Sequence, residues 1–282
     1  MTYAFFTVLS AVFLALYDLF KKISVRDKKD VHEILCFFTF ISFLCSVIYI
    51  NGAFNIDFKY ILFILLKAII IGLSWFLTTK AMSKLDMGIV VPFSLLGTVT
   101  TTLLAWLFFK EKIGFIQIGG IIIILVGLFL LSKLCKNKEK DNDYKYLWLL
   151  AFAAFLSSIS AIIDKRLLNN ISRGTVLFWF FLFLCLIYIG ICLINNKKIV
   201  FKNFTNNLWI IGIGVSIFLS DLFYYNAVSY NNASLSVISI IRKLSVFIGV
   251  VFGSLFLKEK DFMKKFLILI LMFVGLGVIL FV

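Results

Sequence analysis

Proline is almost absent: Pro92 stands alone in 282 residues. Few positions therefore force a break, and long uninterrupted helices are open to this chain. Histidine is as scarce, with only His32. It lies beside Glu33 in a charged stretch and reads as a solvated loop residue rather than a functional one. The five cysteines (Cys36, Cys45, Cys135, Cys185 and Cys192) form no CxxC pair. Metal-ligand spacing and a disulfide framework are both excluded, and four of the five lie inside apolar runs as small packing residues. There is no phosphate loop, no HExxH and no nucleophile elbow, so no enzyme class finds a motif and no cofactor or metal is expected. Nor does a basic segment precede the first apolar run, so a cleaved signal peptide is not expected.

What abounds is apolar. The chain is 62% hydrophobic with a mean hydropathy of +1.08. A soluble domain cannot bury that much apolar surface, and in lipid only helices and closed barrels satisfy their own backbone. A barrel would alternate in segments of about ten residues. Here the apolar runs are continuous over about twenty, the length of a spanning helix. The expected fold class is an all-α polytopic membrane protein with ten transmembrane helices. The spans are Tyr3–Phe20, Val31–Ile50, Tyr60–Thr79, Gly88–Phe109, Ile113–Ser132, Leu147–Ile163, Thr175–Ile194, Leu208–Ser229, Ser234–Leu257 and Phe266–Val282. Most of the 34 phenylalanines then face lipid or pack between helices.

The net charge of +14 is no nucleic-acid footprint, because Lys and Arg cluster at the ends of apolar runs, facing lipid headgroups. The expected partners are a small-molecule substrate and membrane lipids, with no nucleic acid, and the chain is expected as a monomer or homodimer in a cell membrane. Nineteen Lys and Arg fall on links opposite the termini and six on links beside them. By the positive-inside rule this bias places both termini outside.

The charged link around residues 136–146 divides the spans five and five, and an internal repeat follows. Shifted by 146 residues, Ala15 falls on Ala161, Asp18 on Asp164, Ser74 on Ser220 and Ala81 on Ala227. Shifted by 148, Lys110-Glu111-Lys112 falls on Lys258-Glu259-Lys260. Residues 1–135 and 147–282 are thus two copies, and five spans per copy, an odd number, invert one relative to the other. Inverted repeats place a substrate site near the midplane between them.

The motifs LYDLFKK (Leu16–Lys22), DKRLL (Asp164–Leu168), DLFYYNAVS (Asp221–Ser229) and SVISIIRKLSV (Ser236–Val246), with Glu111 and Glu259 opening the last helix of each half, resemble the drug/metabolite transporter superfamily, EamA-like branch. The resemblance covers essentially the whole chain. It implies a ten-helix secondary transporter of small metabolites, more often an exporter. It also implies cytoplasmic termini, against the charge count.

Charges inside the spans are the candidates for chemistry, because each is costly there. Counting from the turn near Asn231, Asp221 and Arg242 both lie about 15 Å deep in a core about 30 Å thick. They stand on consecutive antiparallel helices and can meet. One reading is a structural ion pair. The other is a cationic, substrate-facing centre of Arg242 and Lys243 with Asp221 as counter-ion. At the repeat-equivalent positions stand Trp75 for Asp221, and Ser94 and Leu95 for Arg242 and Lys243. The scaffold therefore does not demand these charges. Ser239 shares a helical stripe with Arg242, and Tyr225 lies one turn from Asp221 beside Tyr224. Trp75 is a candidate wall, with Ser94, Thr98 and Thr101 on a face of the fourth span.

Asp18 and Asp164 are matched acids near helix ends, either paired to local bases or proton-coupling carboxylates. Lys67 reads as a cation that snorkels to the nearer interface. Glu111 and Glu259 read as structural, and Gly249-x-x-x-Gly253 as a close helix contact. The expected function is alternating-access transport of a small anionic or zwitterionic metabolite. The alternatives are export of a cation on Asp221, or a membrane scaffold or lipid-handling protein with no transport cycle.

Overall fold

The computed structural model describes residues 2–26, 30–109, 114–135, 143–194, 208–230, 238, 241–259 and 261–280. Helices and short connections account for all of these residues, and among them there is no strand. The helices are α1 (Thr2–Arg26), α2 (Val31–Ser46, prolonged through a 3-10 turn to Ala53) and α3 (Phe58–Met82). Then come α4 (Met87–Val90, a 3-10 turn Pro92–Ser94, and Leu95–Phe109), α5 (Phe115–Cys135) and α6 (Asp143–Leu168). The rest are α7 (Arg173–Ile194), α8 (Leu208–Val228), α9 (Leu244–Leu257) and α10 (Phe262–Leu280). Among the described residues nine helices are long and apolar enough to cross a membrane, and α9 is a shorter apolar helix.

Local chemistry sets the ends. Asp30, Asp57 and Asp86 stand in extended conformation just before α2, α3 and α4, where an aspartate suits the free backbone N–H groups. Only Asp30 makes a side-chain cap, to the His32 N–H at 2.9 Å. His32 thus lies in the first turn of α2, not in a solvated loop, and its ring packs on Phe76 at 5.1 Å between centroids. Several helices outrun the apolar runs that signal them: α1 continues past Phe20 to Arg26, and α6 starts at Asp143 and ends at Leu168. Hydropathy stops at the first charge, whereas a helix continues into the headgroup layer as long as its backbone stays bonded.

The ninth span differs from the continuous helix expected over Ser234–Leu257. The chain turns at Lys243, which caps α9 without a side-chain hydrogen bond. The fourth span is interrupted too, at Pro92–Ser94. Under the 148-residue shift Lys243 corresponds to Leu95, the residue after Ser94, so the two interruptions lie at neighbouring positions of the repeat. Proline explains the first, since it supplies no N–H to the preceding turn.

Packing follows a two-fold scheme. α1 lies on α8 as α6 lies on α3; α4 packs on α6 as α9 packs on α1; α3 meets α7 as α8 meets α2; and α2–α7 and α5–α10 are self-equivalent pairs. Exchanging the halves maps each contact onto another. The repeat equivalents Ser74 and Ser220 both bond across these pairs, to acceptors one turn apart in the repeat register. The Ser74 hydroxyl bonds α3 to α6 at the Ala153 carbonyl (2.9 Å), and the Ser220 hydroxyl bonds α8 to α1 at the Ser10 carbonyl (3.0 Å). With five spans per half, the halves are inverted.

Two large apolar cores result, beside a small third cluster of Leu77, Ala153 and Leu156. One is built around α2, α7 and α8 with Phe38, Phe181 and Ile213, the other around α4, α5, α9 and α10 with Leu95, Ile124 and Met272. Large apolar side chains such as Phe115, Trp148 and Leu208 point outward, the inverse of a water-soluble surface and what lipid requires.

Candidate functional site: a charged cavity between the halves

Between the two cores lies a cavity of about 560 Å³, walled by α1, α3, α4, α6, α8 and the start of α9. Seven of the eight residues expected from sequence line it: Arg242, Lys243, Asp221, Tyr225, Trp75, Asp18 and Asp164. The eighth, Ser239, lies outside the described residues, as do Ser236, Glu111 and the link 136–142.

Arg242 and Asp221 meet as their depths predict. The Arg242 Nη2 donates to Asp221 Oδ1 at 2.8 Å and to the Ser220 hydroxyl at 3.4 Å. Its guanidinium lies over the Tyr224 ring, 4.2 Å from the centroid. This stacking uses the flat, weakly hydrated face of arginine, which lysine does not offer. The Arg242 Nε is buried without a hydrogen-bond partner. Lys243 points elsewhere, as adjacent helical residues do. Its ammonium donates to the Ser94 carbonyl at 2.8 Å, at the interruption of α4.

Lys67 does not snorkel. It is 3% exposed and turns into the protein, where it pairs with Asp164 and donates to the Tyr225 hydroxyl oxygen. Tyr225 in turn donates to Asp164 Oδ1 at 3.2 Å. Phe180 offers its ring face to the same ammonium at 4.1 Å. Asp164 is therefore held across helices by α3 and α8. Asp18 does take a local partner, Lys21, at 3.3 Å. Sequence reasoning missed Lys67, yet a signal was present. Its repeat equivalent is Ile213, apolar and fully buried, so Lys67 departs from the repeat as Arg242 does.

The uncharged lining divides in two. Trp75 packs on Phe38 and Tyr17, at 5.5 and 6.0 Å between centroids, and with Phe180 forms an aromatic wall. Hydroxyls make the other part: Ser94, Thr98, Thr101, Ser157 and Ser158. The Tyr17 hydroxyl and Thr98 Oγ1 are buried without partners.

A second charged cluster fastens the end opposite the termini. The Glu259 carboxylate accepts from the N–H groups of Met87 (2.5 Å) and Gly88 (2.9 Å), the exposed donors at the start of α4. Lys265 bridges Glu259 and Asp86, 3.1 Å from each. The Lys22 ammonium donates to the carbonyls of Met82 and Leu85, at 2.8 and 2.6 Å, and so closes the end of α3. Glu259 thus has a helix-capping role across the halves. The Gly249 and Gly253 positions face this cluster: a Cβ at Gly249 would meet Val91 at 3.1 Å, and one at Gly253 would meet Glu259 at 3.3 Å.

Ten membrane-spanning segments in two inverted halves, closing on a charged cavity, define a multi-pass integral membrane protein built on the plan of secondary transporters. The EamA-like transporter family model matches the chain twice, over residues 1–133 and 144–281. The chain belongs to that family, and so to the drug/metabolite transporter superfamily. An uncharacterized protein of Methanocaldococcus jannaschii is 30% identical over 127 residues, which are 44% of this chain and 92% of the relative. That relative is about one repeat long. A solved crystal structure, titled only as that of a protein, superposes with a TM-score of 0.68 over 98% of this chain and 96% of its own. At 12% identity this likeness concerns the fold alone.

Proposed function

We propose that the protein carries a small anionic or zwitterionic metabolite through the cell membrane by alternating access, with Arg242 and Lys243 as its substrate-facing cations. One observation carries the reading: charged side chains from both halves of a transporter-family chain converge on one cavity, and of its basic pair only Arg242 has an acid, Asp221, at ion-pair distance among the described residues. Asp221 balances Arg242 and is already engaged by it, which speaks against export of a cation on Asp221. Tyr225 and Trp75 shape the walls. Asp18 and Asp164, each held by a lysine, are the proton-coupling candidates, and release of either lysine would free a carboxylate to take up a proton. The Glu259–Lys265–Asp86 cluster joins the halves at the end opposite the termini and would part as they rock.

The purified protein is screened for thermal stabilisation by a metabolite library, as wild type and as Arg242→Ala/Lys243→Ala, since a ligand of the folded state raises its stability with occupancy. Hits are then tested for flux in proteoliposomes, with and without a pH gradient. Anionic or zwitterionic hits that stabilise wild type, cross the membrane and fail on the folded variant support the reading. If no compound binds or crosses, and the charge swap Asp221→Arg/Arg242→Asp leaves function in cells intact, the pair is a structural strut and transport through this cavity is refuted.

A further inference from the structure

The cavity's charges can be matched one by one. Three acids line it, and each is taken: Asp18 by Lys21 at 3.3 Å, Asp164 by Lys67, and Asp221 by Arg242 at 2.8 Å. The fourth base, Lys243, has a carbonyl oxygen as its hydrogen-bond partner and no acid within ion-pair distance among the described residues. One positive charge is therefore left over among the described residues, just before α9, where Lys243 makes no side-chain cap.

Donors are left over as well. The Tyr17 hydroxyl belongs to a residue 3% exposed, and it joins the Thr98 hydroxyl and the Arg242 Nε in lacking a partner. All three residues line this cavity. An arginine Nε–H can only donate, and the two hydroxyls can donate, so the unmet demand in the cavity suits acceptor oxygens. Trp75 and Phe180, an aromatic pair with ring centroids 6.2 Å apart, line the same cavity.

We infer that the site selects a monovalent organic acid: a monocarboxylate with an apolar, planar or branched body and no amino group. This rests on the anion-transport reading above and narrows it. A carboxylate would neutralise Lys243 and accept from the idle donors. An ammonium on the same ligand would find every cavity acid engaged. To bind, it would have to displace Lys21, Lys67 or Arg242 from its carboxylate, stranding a buried cation. A second carboxylate would bring a charge with no free base.

Matched ligands test this on the detergent-solubilised full chain. The first set is 3-phenylpropionate, phenylalanine, phenylsuccinate and 3-phenylpropanamide; the second is 4-methylpentanoate and leucine. Apparent affinities come from the concentration dependence of the unfolding midpoint. A monoacid is expected to bind roughly a hundredfold tighter than its amino acid. It should also outbind the diacid and the amide, and Lys243→Met should abolish the difference while Lys243→Arg restores it. If phenylalanine or leucine binds as tightly as its acid, the inference falls and the broader anion-or-zwitterion reading stands. If neither monoacid shifts the midpoint of the wild-type protein, the inference falls. If the amino acids, the diacid and the full library are silent too, the transport reading falls with it.

Discussion

Removing Lys67 should unfold the protein more readily than removing an exposed lysine at a helix end, such as Lys264. The side chain is 3% exposed, and its partner Asp164 is 7% exposed. Lys67→Met keeps most of the apolar stem but takes away the charge, leaving the Asp164 carboxylate with the Tyr225 hydroxyl as its remaining hydrogen-bond donor among the described contacts. Breaking one side of a buried ion pair costs about 3–5 kcal/mol, because the surviving charge has lost both its partner and its water. For a chain of this length that corresponds to a fall of roughly ten degrees in apparent unfolding temperature. Asp164→Leu alone should cost a similar amount for the mirror reason. The double variant Lys67→Met/Asp164→Leu should recover most of the loss, since an apolar pair in the same space strands no charge. The assay is thermal unfolding of all four proteins in one detergent, read as a double-mutant cycle. If Lys67→Met unfolds within about 1 kcal/mol of wild type, or if the two losses simply add, the ammonium does not reside on Asp164. The snorkelling expected from sequence would then be the correct description.

Three further outcomes follow from the packing and the charges. A Cβ at Gly120 would lie 2.5 Å from the Gly275 carbonyl oxygen, so Gly120→Ala must push α5 off α10 at a cost of about 1–3 kcal/mol, whereas Gly119→Ala meets nothing within 4 Å and should be neutral or slightly stabilising; equal thermal unfolding of the two variants would refute this contact. Glu259→Gln keeps the shape of the cap but loses its charge to the Met87 and Gly88 N–H groups and to Lys265, and should destabilise by about 1.5–3 kcal/mol; wild-type stability in denaturant would show that the cap contributes little. From the distribution of Lys and Arg, a thiol tag at the N terminus should react with an impermeant reagent in intact cells; labelling only after permeabilisation would favour the cytoplasmic termini that the family resemblance implies.

The fold was legible because two strong signals agreed. Uninterrupted apolar runs marked the spans, and the repeat marked the two halves and their inversion, with Ser74 and Ser220 each bonding across a helix pair that the two-fold relates. The Arg242–Asp221 meeting was legible because both residues sit at the same depth on consecutive helices, where antiparallel geometry leaves little choice. The Lys67–Asp164 pair was not, because it joins the third span to the sixth, and sequence distance carries no information on which distant helix faces which. The turn at Lys243 was also hidden: no proline or glycine marks it, in contrast to Pro92 at the interruption of α4. His32 was misplaced because its neighbours are charged, and charge near a helix start reads the same as charge in a loop.

What the two-fold plan shares, and what it does not, separates scaffold from chemistry. The hydroxyl bonds of Ser74 and Ser220, the interruptions of α4 and α9, and the acids Asp18 and Asp164 occur in both halves. The cations do not repeat. Lys67 stands where the second half has buried Ile213, and Arg242 and Lys243 stand where the first half has Ser94 and Leu95. Lys243 even reaches back across the cavity to the carbonyl of Ser94, the residue that stands in the first half where Arg242 stands in the second. An inverted repeat must let its halves exchange conformations at similar free energy, which favours symmetry in everything that packs. A ligand has no such symmetry and needs its charge on one side. The residues that break the repeat inside the cavity are therefore where recognition is expected, and replacing Lys243 by its counterpart's residue, leucine, should leave the fold intact while removing the excess charge that an anion would seek.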